Sequence, residues 1–125
     1  METQKLHLIK ALTCDEKESI KNIAKKLRKN KDRRIFVVDS KGKLKGIITT
    51  TDIAYKGFEK NDLKAENIMT SKVKAIEKKD SLEKALEIMN DLQTFVCPVV
   101  DKGKIIGLIS YHDAINYLFS GKNKK

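Results

Sequence analysis

Two short stretches of this 125-residue chain place hydroxyls and a carboxylate at one spacing. In GIITTTDI, residues 46–53, an apolar run meets Thr49, Thr50 and Thr51 and then Asp52. In GLISYHDA, residues 107–114, Ser110 and Asp113 repeat the Thr-x-x-Asp interval with Tyr111 and His112 between them. An ionised carboxylate only accepts hydrogen bonds. It suits a ligand presenting two adjacent hydroxyls, as a ribose does at its 2′ and 3′ positions. A nearby side-chain hydroxyl donates or accepts toward the same sugar or a phosphate, and free N–H groups at a helix start favour phosphate. The spacing has an architectural use as well, because Thr/Ser-x-x-Asp caps a helix. The residues alone leave both uses open.

The elements that must position these clusters also occur twice. Val37, Val38 and Asp39 fall on Val99, Val100 and Asp101 at an offset of 62. Gly42, Lys43, Gly46, Ile48 and Asp52 fall on Gly103, Lys104, Gly107, Ile109 and Asp113 at an offset of 61. Each half opens with a short strand, near residues 6–13 and 73–76. A helix follows, with apolar residues spaced for one face: Ile20, Ile23, Ala24 and Leu27, then Leu82, Ala85, Leu86 and Met89. Glu18 or Ser19 and Asp80 or Ser81 are its candidate N-caps. A hairpin comes next, with strands at 35–38 and 44–49, then at 96–100 and 105–110, turning at Gly42 or Gly103. A last helix starts at Thr51-Asp52 or His112-Asp113. The order β-α-β-β-α, twice, predicts an α+β fold of two motifs, residues 1–60 and 61–125, joined near 57–67. A half of about 60 residues is marginal by itself. Packing the two halves sheet to sheet about a pseudo-two-fold axis hides both open faces and borders a cleft with the polar clusters.

Composition narrows the function classes. No apolar run approaches the roughly 20 residues that cross a bilayer, and residues 1–10 contain no signal-peptide core. The expectation is a soluble, cytoplasmic protein without membrane insertion. Cys14 and Cys97 lie in apolar, strand-like stretches and read as buried free thiols. Two His and two Cys at no ligand spacing predict no metal site. His7 and His112 have no nucleophile partner pattern, and no G-x-x-x-x-G-K phosphate loop is present. A catalytic role is therefore not expected. The net charge is +10, from 27 basic and 17 acidic residues, which raises nucleic-acid binding as an alternative. Only Arg28, Arg33 and Arg34 among the 27 are arginine, and the lysines are interspersed with Glu and Asp as on a solvated surface.

The duplicated strand, turn, apolar-Gly-apolar-apolar-[Thr/Ser]-x-x-Asp and helix resemble a pair of cystathionine-β-synthase (CBS) motifs, the Bateman module, over roughly residues 6–119. The resemblance implies a stand-alone regulatory module that binds an adenosine-containing ligand: AMP, ADP, ATP or S-adenosylmethionine. It implies two sites, each combining one half's ribose carboxylate with the other half's strands around the adenine. One site would unite Ser110, Tyr111, His112 and Asp113 with Thr13, Arg33, Arg34 and Ile35. The other would unite Thr49, Thr50, Thr51 and Asp52 with Ala75, Ile76, Thr94, Phe95 and Val96. Thr13 against Ala75, and the two arginines, favour the Asp113 site. A homodimer through the helices and a regulated enzyme or transporter are the implied partners. No cofactor is expected beyond the ligand.

Overall fold

The computed structural model describes residues 7–58 and 62–120. They fall into two compact units, one of residues 11–73 and the other of residues 7–10 with those from 74 onward. In the first unit β1 (Thr13–Asp15) leads to α1 (Ile20–Asn30), β2 (Arg34–Val38), β3 (Leu44–Thr49), α2 (Thr50–Lys56) and α3 (Ala65–Ile68). In the second β4 (Ile76–Glu77) leads to α4 (Leu82–Leu92), β5 (Val96–Asp101), β6 (Lys104–Ser110) and α5 (Tyr111–Ser120).

Each unit holds one three-stranded sheet, ordered β1-β2-β3 or β4-β5-β6. The first two strands of each are parallel, with Thr13 beside Phe36 and Ile76 beside Val99. Parallel neighbours need a crossover, and α1 and α4 supply it. Both helices start on a serine: Ser19 Oγ accepts from the Asn22 N–H at 3.2 Å, and Ser81 Oγ from the Lys84 N–H at 3.3 Å. The apolar periodicity is honoured, since Ile20, Ile23 and Leu27 are buried from α1 and Leu82, Ala85 and Met89 from α4. These stripes close two separate cores, one around Ile35, Val37 and Ile48 and the other around Cys97, Val99 and Ile109. The last two strands of each sheet are antiparallel, and both hairpins turn on a left-handed glycine, Gly42 (φ 83°) and Gly103 (φ 85°). The registers shift at equivalent places, Val37/Val38 and Val99/Val100.

Three expectations are corrected. The opening strand does not run over residues 6–13. Within the described residues β1 begins at Thr13, and Ile9 instead pairs antiparallel with Leu108 of β6. The corresponding segment before β4 behaves alike: Thr70 pairs with Ile47 of β3, and β4 begins at Ile76. Gly46 and Gly107 make these approaches possible. A Cβ on Gly46 would lie 2.8 Å from the Thr70 carbonyl oxygen, and one on Gly107 would lie 2.8 Å from Leu8 Cβ. The region read as a joint contains a helical turn, α3, whose Ala65 and Ile68 join the first core. The closing helices start slightly earlier than expected, at Thr50 and Tyr111.

Candidate functional site

In the first unit Thr49 ends β3 and caps α2. Its Oγ1 accepts from the Asp52 N–H at 3.2 Å, while Asp52 Oδ2 accepts from the Thr49 N–H at 2.9 Å. This reciprocal pair is a capping box. The carboxylate of the first cluster therefore already serves its own helix. The Thr50 N–H donates to the Arg33 carbonyl at 3.0 Å, and Arg34 is registered against Thr49. The hydroxyl cluster and the Arg33-Arg34-Ile35 segment thus stand side by side in one unit. Asp32 Oδ1 accepts from the Arg33 N–H at 2.8 Å and the Arg34 N–H at 3.4 Å, fixing the turn before β2. Neither guanidinium makes an ion pair among the described residues. Thr13 is half-buried on β1, one strand away; the Ile35 side chain is wholly in the core, leaving only its main chain for a ligand.

The second unit repeats the framework with one difference. Ser110 Oγ accepts from the Asp113 N–H at 3.0 Å, as Thr49 does, so the cap is present. No return bond exists. Among the described residues the Asp113 carboxylate accepts no hydrogen bond and joins no ion pair, and the residue is exposed. The Tyr111 N–H donates to the Phe95 carbonyl at 2.7 Å, the counterpart of the Thr50–Arg33 bond. The Phe95 and Tyr111 rings meet edge to face with centroids 6.1 Å apart. His112 is exposed on the first turn of α5, its Nε2 3.1 Å from Asn116 Nδ2. Thr94 Oγ1 donates to the Val96 carbonyl at 3.1 Å. Ala75 is half-buried just before β4, and Ile76 is a core residue.

Equivalent shallow grooves flank the two clusters. The first, about 340 Å³, is bordered by Arg28, Lys31, Asp32 and Thr50, and the second, about 290 Å³, by Asn90, Gln93, Phe95 and Tyr111. The first sets Arg28, Lys31 and Asp32 beside apolar Ala24, Leu27 and Ile53, whereas the second has no charged residue and includes two aromatic rings. The sequence reading missed Asp32 and Asn116, whose roles are to hold Arg33-Arg34 and His112. An Asp just before a strand is a turn signal, and Asn116 lies four residues beyond His112 on one helical face.

The remaining reactive groups are quiet. Burial pushes the Cys14 thiol up to about 12, with Glu18 adding to the shift, and pushes Cys97 up to about 11. Thiols so far above neutrality stay protonated and are poor nucleophiles. The described residues contain no group of three His, Cys, Asp or Glu side chains able to hold a metal ion, and no helix long and apolar enough to cross a membrane.

Comparison with known proteins accords with this duplicated framework. The profile of the CBS domain matches residues 7–58 and 65–120. An L-aspartate semialdehyde sulfurtransferase of Methanocaldococcus jannaschii is 34% identical over 89% of this chain and 22% of its own length. The magnesium transporter MgtE of Thermus thermophilus is 31% identical over 67% of this chain and 18% of its own. The chain thus spans about a fifth of the length of these curated relatives. Among solved structures, the CBS domain pair of protein MJ0100, in complex with 5′-methylthioadenosine and S-adenosyl-L-methionine, superposes with a TM-score of 0.74 at 31% identity, covering 98% of both chains. The cytosolic domain of the Mg2+ channel MgtE, in complex with ATP, gives a TM-score of 0.74 at 26% identity over 85% of this chain and 44% of its own. With both repeats matched by one profile, the chain belongs to the CBS domain family.

Proposed function

We propose that this chain is a regulatory module that binds an adenosine-containing small molecule and reads its ribose with Asp113. The observation that carries the reading is the unequal fate of the two carboxylates. Asp52 is engaged by its capping box, whereas Asp113 holds an exposed carboxylate that accepts no hydrogen bond among the described residues, beside a serine that already caps the helix. Adenosine is the chemistry shared by the ligands of the two related structures, ATP in one and 5′-methylthioadenosine with S-adenosyl-L-methionine in the other.

In this proposal Ser110, Tyr111, His112 and Asp113 supply the ribose side. Thr13 and the main chain at Ile35 hold the base, and Arg33 and Arg34 meet a phosphate or carboxylate of the ligand. Thr49, Thr50, Thr51 and Asp52, with Ala75, Ile76, Thr94, Phe95 and Val96, form a second, weaker site, because its carboxylate must leave a cap to bind. The module contributes regulation rather than chemistry, and a ligand achieves this only by favouring one arrangement of the protein over another. The proposed target is an enzyme or transporter, the two kinds of protein represented by the relatives named above. Nucleic-acid binding, the alternative suggested by net charge, is supported by none of these comparisons.

The test is a thermal-shift and calorimetric panel of AMP, ATP, S-adenosylmethionine, 5′-methylthioadenosine, GTP and a short RNA. The expected result is saturable binding of an adenosine compound that is weakened about tenfold to a hundredfold in Asp113→Ala and retained in Asp52→Ala. Failure of every adenosine compound to bind refutes the proposal, as does undiminished binding by Asp113→Ala.

A further inference from the structure

Within the first unit, helices α1 and α2 meet along a furrow. Two concavities, of about 340 and 870 Å³, share Ala24, Arg28 and Ile53, so they run into one another. The floor is apolar: Ile20, Ala24 and Leu27 come from α1, Ile53 from α2 and Leu63 from the segment before α3. Phe58, 84% exposed, stands at one end.

The α1 edge of the furrow is cationic. Lys21, Lys25, Arg28 and Lys31 line it at intervals of four, three and three residues, the spacing of one helix face. Such a ladder extends over about 15 Å. All four side chains are exposed, and none enters an ion pair among the described residues. The lining carboxylates are Asp32 and Asp62, and Asp32 already accepts the Arg33 and Arg34 N–H groups, so cations are in excess. Like charges at these intervals destabilise the helix that carries them. The fold does not require them. The matching positions of the second unit, 62 residues on, hold Glu83, Glu87, Asn90 and Gln93.

We propose that this furrow is the docking site for an acidic amphipathic helix of another protein. The chemistry of the occupant follows from the lining. Its apolar side covers the floor and Phe58, and its carboxylates, one turn apart, face the ladder of cations. A lipid surface is flat and leaves the floor of a groove between two helices uncovered. A nucleic-acid backbone offers phosphates to the cations but no apolar ridge to the floor. The inference extends the regulatory reading by naming the surface that meets the regulated target, and the docking itself needs no adenosine ligand.

Fluorescence anisotropy at low and moderate salt tests it. The probe is a labelled peptide of about 15 residues, with leucine at i, i+3, i+4 and i+7 and glutamate elsewhere. The wild type is expected to bind it saturably, and more weakly at the higher salt. Lys21→Glu/Lys25→Glu should weaken binding about tenfold or more, and Phe58→Ala about fivefold. The double variant should instead take up the counterpart peptide with lysine for glutamate. It should also bind adenosine compounds as the wild type does, which separates failure of the docking from failure of the ligand reading. Absence of peptide binding by the wild type, or equal binding by the double variant, overturns the proposal. So does uptake on anionic vesicles, or self-association in sedimentation, that Lys21→Glu/Lys25→Glu abolishes, because the occupant is then a membrane or a second copy. If the reversed variant does not fold, Lys21→Gln/Lys25→Gln carries the same comparison.

Discussion

Replacing the two repeated carboxylates should have opposite consequences, and the difference can be worked out from their hydrogen bonds. Asp52 Oδ2 accepts the Thr49 N–H at 2.9 Å, so Asp52→Ala leaves that N–H without its partner and unlocks α2. A helix of seven residues has little stability of its own. The loss should be about 1 kcal/mol, as for other cap deletions, or about 4 °C in melting temperature for a chain of this size. Among the described residues Asp113 accepts nothing, so Asp113→Ala removes only its attraction to the helix dipole, which Asp52→Ala removes as well. The capping-box bond is the difference between the variants. With ligand the ranking inverts. A carboxylate that accepts hydrogen bonds from ribose hydroxyls contributes about 1.5–3 kcal/mol, so Asp113→Ala should weaken binding by about tenfold to a hundredfold. Denaturation without ligand and calorimetry with it measure the two quantities on the same samples. Equal destabilisation by both substitutions would refute the capping argument, and unchanged affinity in Asp113→Ala would refute the ribose argument.

The other predictions come from packing and from titration. Gly46→Ala should cost about 1–3 kcal/mol in urea unfolding, because its Cβ must displace the Thr70 carbonyl and Met69 Sδ from contacts of 2.8 and 2.6 Å. Cys14 and Cys97 should resist a thiol-specific disulfide reagent at pH 8 in the native state and react at once on unfolding, since burial raises both thiols to about 12 and 11. Asp80 is held below the usual carboxylate range by the Glu77 N–H and by Lys84, and Asp39 by the N–H groups of Lys43 and Lys41. A depressed carboxylate contributes stability above its unfolded value, near 4 (about 3.9 in peptides), and loses it as pH falls through the folded value. Melting temperature should therefore hold from neutrality to about pH 4 and fall below it, and Asp80→Asn should flatten that acid limb.

Much of the fold was legible because its signals are local and repeated. The spacing of Ile20, Ile23 and Leu27, and of Leu82, Ala85 and Met89, marks the buried faces of two helices. Gly42 and Gly103 mark two hairpins with left-handed angles of 83° and 85°. The errors arose where local pattern says nothing about partners. Residues 8 and 9 are apolar enough to read as part of a strand running into Thr13, but which sheet edge they meet depends on chain segments far away. A four-residue helix such as α3 is too short to show a period. At the candidate site the Thr/Ser-x-x-Asp spacing was visible twice, as were the flanking arginines and Phe95. The unequal use of the two carboxylates was not, because one spacing permits either a full capping box or a half one, and backbone geometry decides which.

The exchange at the two outer strands bears on how such a chain arose. The opening segment of the first repeat lies on β6 of the second, and the opening segment of the second lies on β3 of the first. Neither repeat, cut out as a contiguous stretch, keeps the strap that lies on its own sheet. A chain of one repeat would have to borrow that strap from an identical neighbour and would lose it on dilution. Joining two copies makes the loan intramolecular, at an effective concentration on the order of millimolar. The duplication thus reads as a swapped dimer made permanent, and the chain's integrity no longer depends on how much of it is present.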